Sequence, residues 1–175
     1  LPHFRSQGKG TVLYTSSLLG RMTLPFYGVY NASKWALEAL AENYRTELSS
    51  FGIESCLVEP GGFPTTFIDN LMKPSDSSRD ESYGEFMQAP KAMFDGFEQA
   101  LEANLEQRPQ KVADAITNLI EMPFGEKPMR TVVDYMGMGE HISKYNEMLD
   151  NVTFGIYSAF GLSLIHISEP TRRPI

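Results

Sequence analysis

A chain of 175 residues, 42% hydrophobic and 21% charged, has the length and composition of one globular domain with its own core, which excludes a disordered chain. A net charge of −7 leaves no basic stripe to displace counterions from phosphates, which argues against nucleic acid and anionic membrane as partners and for a small molecule. The single cysteine, Cys56, excludes an internal disulfide or a thiolate metal cluster and suits a small buried apolar residue in a reducing compartment.

No segment near Leu1 joins basic residues to an apolar run and a small-residue cleavage site, so the chain reads as cytoplasmic. Gly8 and Gly10 precede TVLYT, residues 11–15, an apolar and β-branched run suited to a buried parallel strand. Residues 18–28 hold Gly20, Pro25 and Gly28 and read as a loop. Residues 30–51 contain no helix breaker and end at Gly52, with Trp35, Leu37, Leu40, Ala41, Tyr44 and Leu48 recurring at helical spacing as one apolar face. IESCLVEP, residues 53–60, is a second strand. A strand, a helix long enough to cross over and a second strand predict a right-handed βαβ unit and a parallel sheet, so the fold class is α/β.

Between residues 63 and 88 the composition turns to Pro, Ser, Asp, Gly and Arg, which fits a lid or substrate loop as well as a solvated insertion. Helical patterns resume over 89–106 and 110–122, RTVVDY (130–135) supplies a third parallel strand, and 141–150 another helix. The apolar stretch 152–167 is broken by Gly155, Ser158, Gly161, Ser163 and His166 and is shorter than the ~20 residues a bilayer requires, so it reads as packing surface rather than a membrane segment. His3, His141 and His166 have no metal-ligand spacing, and no metal site is expected.

The chemistry concentrates in TSSLLGRMTLPFYGVYNASKWALEAL, residues 15–40. Tyr30 and Lys34 stand four apart, which on a helix puts both side chains on one face. A free phenol has a pKa of ~10, and a neighbouring ammonium favours the phenolate, so the pair makes a usable acid and base. Ser17 follows the first strand, where its hydroxyl can sit beside that phenol and hold a substrate oxygen. A Tyr-x-x-x-Lys spacing alone is weak, since any amphipathic helix can contain it. A strand ending in TSS, a glycine three residues after Ser17, YNASK opening a long helix and a strand ending in EPGGFPTT form a far more specific compound pattern.

With those motifs the chain resembles the short-chain dehydrogenase/reductase family, in its ordinary branch, from about Gly8 to Tyr135. The resemblance implies the C-terminal part of a doubly wound parallel-sheet (Rossmann) domain over residues 1–160. It implies hydride transfer between NAD or NADP and an alcohol or ketone, with Tyr30 as proton donor or acceptor, Ser17 orienting the substrate, and Lys34 binding the nicotinamide ribose. Ser17 is preferred to Ser16 because family members carry this serine thirteen residues before the tyrosine. Pro60, Gly61, the backbone of Phe63, and Thr65 match the segment that lines the nicotinamide, and glycine after a strand's carboxyl end lets backbone approach a ligand. Phe26, Tyr27, Phe63, Phe67, Met72, Phe86 and Met87 suggest an apolar substrate pocket. Family members are commonly dimers or tetramers packed on the 30–51 helix, so a homodimer or homotetramer is expected of the complete protein.

The family's Gly-rich dinucleotide turn, its Asn-Ala-Gly segment and its upstream catalytic asparagine are absent from these residues. The expectation is therefore a fragment of a longer enzyme, inactive and poorly stable alone, since no helix N-terminus remains for the pyrophosphate and one apolar strand edge is bared. Residues 161–175 stand apart: within them LSLIHISEPTRRPI, residues 162–175, matches either a native end or translated adapter read-through, and carries no functional weight. Two other readings are a non-catalytic regulatory or scaffold fragment and an extended-branch epimerase or dehydratase. A serine hydrolase is disfavoured because TSSLLG lacks a Gly-x-Ser-x-Gly elbow.

Overall fold

The computed structural model describes residues 1–72 and 74–162. Three parallel strands, β1 (Gly10–Thr15), β2 (Ile53–Pro60) and β3 (Arg130–Val133), pair in the order β1-β2-β3. Among the described residues six α-helices accompany them: α1 (Pro2–Gln7), α2 (Gly28–Glu47), α3 (Asp80–Tyr83), α4 (Ala89–Ala103), α5 (Pro109–Glu121) and α6 (Gly139–Ala159). Gly10 to Thr15 register against Ile53 to Val58, and Leu57 to Pro60 against Arg130 to Val133, so all three strands finish at one edge of the sheet. β2 is buried at every residue but its last, whereas β1 is only half-buried.

Successive β2 side chains point to opposite faces. Ser55 meets α2, its hydroxyl donating to the Ala41 carbonyl at 2.8 Å, and Glu59 shares that face. Val58 faces the other way into a core with Leu119 and Val133, on which Val112, Ala115 and Ile116 of α5 pack. Both faces are thus covered by helices, the α/β layering that a continuous apolar strand requires. Cys56 is fully buried, and burial pushes its thiol up, so it behaves as a packing residue.

Two expectations about helices are corrected. The side of α2 against the sheet runs through Asn31, Glu38 and Ala41, reaching Leu48 beyond its end, while Trp35 (38% exposed) and Leu40 (44%) face outward. Leu37 and Tyr44 are half-buried. Apolar spacing misled because Glu38 is buried as an ion-pair partner of Arg130 (3.1 Å) rather than solvated. The last helix is also longer than 141–150: it runs from Gly139 to Ala159, straight through Gly155. Residues 163–175, most of the doubtful tail, lie outside the described residues. Among the described residues no helix is long and apolar enough to cross a membrane.

Candidate functional site

The segments after β1 and β2 leave the sheet side by side. Ser16 N–H donates to the Val58 carbonyl (2.8 Å), and Gly61 N–H to that of Val133 (2.9 Å), extending both pairings past the strand ends. The crevice outside the carboxyl ends of parallel strands is where such sheets take ligands. Ser17 has extended backbone and caps the 3₁₀ turn Leu18–Gly20, its oxygen accepting Leu19 N–H at 3.1 Å. The hydroxyl proton remains to donate. Ser16 is walled in instead: a methyl on Gly20 would lie 2.8 Å from its oxygen.

Tyr30 and Lys34 lie on the first two turns of α2. The Lys34 ammonium donates to the Thr15 carbonyl at 2.8 Å, fastening it to the end of β1, and stands 5.5 Å from the centre of the Tyr30 ring. Burial pulls the Lys34 ammonium below the usual lysine range, with Glu38 opposing. The Tyr30 ring is held edge-on by Tyr27 (5.5 Å between centres) and Phe67 (5.6 Å). Burial, then the neighbouring Tyr30, raises the Tyr27 phenol above the usual tyrosine range. Asn31 sends its amide to the Leu24 carbonyl at 3.0 Å, tying the loop before α2 to the helix.

Pro60 ends β2, and the two glycines after it are needed for close approach rather than for a left-handed backbone. A Cβ on Gly61 would collide with the Asp134 carboxylate, and one on Gly62 with the Phe97 ring. Phe63 is half-buried against the Val58 core. Thr65 is exposed, and its hydroxyl accepts Phe67 N–H at 3.3 Å, fixing the bend that returns the chain to Tyr30. Among the described residues Phe63 N–H meets no acceptor. The Phe63 N–H without an acceptor among the described residues, the Lys34 ammonium on the Thr15 carbonyl and the Ser17 hydroxyl are donors that follow the carboxyl ends of β1 and β2, a donor set that fits the amide and ribose end of a nicotinamide cofactor.

The aromatic neighbourhood joins residues from distant segments. Phe26 packs on Phe86 (5.7 Å between centres), and Phe94 of α4 packs on Tyr27 (5.2 Å). Phe94 carried no signal in the sequence beyond its place in an amphipathic helix. Met72 is 98% exposed and does not join this wall. A cavity of about 420 Å³ lies at the opposite end of the strands, by Gly10, Gly52 and Phe124, where Lys127 and Glu54 satisfy each other at 2.8 Å.

Residues 1–76 match the family model described as short chain dehydrogenase. The chain is 38% identical over 85 residues to the 3-ketodihydrosphingosine reductase of Bacteroides thetaiotaomicron, covering 49% of this chain and 32% of that protein. It is 32% identical over 130 residues to the 17-beta-hydroxysteroid dehydrogenase type 1 of Homo sapiens, covering 70% and 37%. The chain therefore spans about a third of the length of the curated relatives it matches. Among solved structures, a short-chain dehydrogenase from Streptomyces avermitilis superposes with a TM-score of 0.55 at 23% identity, over 91% of this chain and 54% of that one. Another, from Burkholderia cenocepacia J2315 in complex with NADP, gives 0.54 at 18% identity over 88% and 50%. These two share the Rossmann-type fold. The compound motif, the layered parallel sheet and these relatives agree, and the chain belongs to the short-chain dehydrogenase/reductase family.

Proposed function

We propose that this chain, over residues 1–160, is the C-terminal catalytic part of an oxidoreductase that interconverts an alcohol and a ketone with NAD or NADP. When bound, the nicotinamide supplies or accepts the hydride. The chain's own residues bind, orient and handle the proton. Tyr30 gives its phenolic proton to the nascent alkoxide in reduction and takes it back in oxidation. Lys34, held on the Thr15 carbonyl and 5.5 Å from the centre of the Tyr30 ring, supplies a positive charge beside the phenol and a donor for the ribose hydroxyls. Ser17 donates its unused hydroxyl proton to the substrate oxygen. Pro60, Gly61 and the Phe63 backbone line the nicotinamide, with Thr65 at the rim.

The observation that carries this reading is the convergence of the Ser17 turn, the Tyr30–Lys34 face of α2 and the Gly61–Phe63 backbone at one edge of the sheet. The rings of Phe26, Tyr27, Phe67, Phe86 and Phe94 favour an apolar alcohol or ketone. Either cofactor suits these residues, because they reach the nicotinamide end rather than the adenosine ribose that separates NAD from NADP.

The test is Tyr30→Phe in the complete protein. Loss of the proton donor lowers turnover roughly 10²–10⁴-fold while reduced cofactor still binds. Turnover retained in that variant would remove Tyr30 from the mechanism.

A further inference from the structure

The turn after β2 is gripped from behind by a side chain that the proton-transfer reading does not use. Gln107, between α4 and α5, is 1% exposed. Its Nε2 donates to the Gly62 carbonyl, and its Oε1 accepts Tyr135 N–H at 2.7 Å. One buried amide thus spans the turn after β2 and the end of β3, with both of its poles engaged, as burial demands. Asp134 fixes which way that amide points. Its Oδ2 accepts Met138 and Gly139 N–H at 2.9 Å each, and its Oδ1 stands 3.5 Å from Gln107 Nε2. The carboxylate therefore sees the nitrogen of Gln107 and not its oxygen. Asn104 adds a bond to the Tyr135 carbonyl at 2.8 Å, and the Phe97 ring closes the side of Gly62.

The consequence lies in the peptide unit. Gly62 C=O and Phe63 N–H belong to one planar trans peptide and point in opposite directions. Holding the carbonyl on buried Gln107 turns the Phe63 N–H outward, away from the packing between α4 and α5. That N–H is the donor left without an acceptor among the described residues. A turn free to flip would lose this orientation, and two glycines in succession make flipping easy.

We infer that Gln107, oriented by Asp134, is a positioning residue for the cofactor: it pins the Gly62–Phe63 peptide so that Phe63 N–H is presented to the nicotinamide amide. This rests on the function proposed above. Gln107 touches neither substrate nor cofactor.

The experiment uses the complete protein with two variants, NADH and NADPH titrated by nicotinamide fluorescence, and amide hydrogen exchange. Gln107→Glu keeps an acceptor for Tyr135 N–H but replaces the donor to Gly62 with a carboxylate oxygen. Gln107→Met keeps the bulk and removes both bonds. Each variant is expected to weaken reduced-cofactor binding by about tenfold, the loss of one oriented hydrogen bond. Exchange should rise over 61–65 while β2 and α5 stay protected. Lowering the pH should restore binding in Gln107→Glu alone, because a protonated glutamic acid can donate to the Gly62 carbonyl again. Unchanged affinity in both folded variants overturns the inference, and so does loss of protection through the whole sheet, which would make Gln107 a fold residue only. Tyr30→Phe separates the two readings. If it keeps turnover while the Gln107 variants lose cofactor, the positioning role stands and the assignment of the proton donor falls. If the unmutated protein binds neither cofactor, both fall.

Discussion

Glu59 is the residue whose surroundings are most at odds with its charge. It is fully buried, and Asn146 Nδ2 donates to its Oε2 at 2.6 Å. Arg130 and Arg21 approach its other oxygen at 3.5 and 3.6 Å, too far for hydrogen bonds. Those two guanidinium groups also face Glu38, Glu42 and, from α6, Asp150, so four carboxylates share two cations. Burial first, then the charge of Glu38, pushes Glu59 from the usual 4.5 up to about 7, against the pull of Arg130, Asn146 and Arg21. A carboxyl raised on folding keeps its proton in the native state where the unfolded chain has lost it, so stability falls as pH rises from about 4.5 to about 7 and levels above. Burial raises Asp150 as well, adding the same sign at the acid end. The expected result is a urea midpoint that declines between about pH 5 and about pH 7.5, with Glu59→Gln flattening most of that slope. An unchanged slope in the variant would assign the titration to another group.

At the scale of elements, the 3₁₀ turn Leu18–Gly20 is set by its fit against α2. Gly20 sits where a Cβ would come within 2.8 Å of the Ser16 oxygen and 2.9 Å of Glu38 Cγ. Glu38 cannot swing aside cheaply because Arg130 holds it at 3.1 Å, and Arg21, the next residue, is bonded to Asn146 at 2.8 Å. Gly20→Ala should therefore cost roughly 1–3 kcal/mol by overpacking and shift the turn that carries Ser17. Chemical denaturation checks the first part. A cost within a few tenths of a kcal/mol would show that the turn gives way. On the other face of the sheet, α5 holds β2 and β3 through Leu119, which is 2% exposed. Leu119→Ala should cost about 2–5 kcal/mol, read from the same denaturation curves.

At the scale of the whole molecule, apolar surface among the described residues stays uncovered along β1 and on the outer faces of α2 and α6. Among the described residues β1 pairs on one side only, and none of its residues is fully buried, where β2 is buried at all but its last. Val29, Trp35 and Leu40 on α2, with Met148, Val152 and Phe160 at α6, also face solvent. Exposed parallel edges and apolar helix faces associate. The 175-residue chain should accordingly scatter light as an oligomer above about 10 µM, and Leu40→Lys should reduce that mass. A monomer at every concentration would mean these surfaces are already satisfied.

The sequence by itself determined the α/β class, the order of the long elements and the four-residue spacing that puts Tyr30 and Lys34 on one face of α2. Strand periodicity, glycine stops and the four-residue helical spacing are local properties that a linear chain displays. β2 falls on residues 53–60 as the pattern predicts, and α2 begins within two residues of its expected start. The tertiary structure decided what depends on partners distant in the chain. It showed that α2 buries Glu38 and turns Trp35 and Leu40 outward, because Arg21 and Arg130 neutralise a carboxylate that periodicity assigns to solvent. It placed Phe94 beside Tyr27, and it set Gln107 behind Gly62, 45 residues away. A glutamine in a loop looks like any solvated residue until folding encloses it, and only then must both ends of its amide find partners.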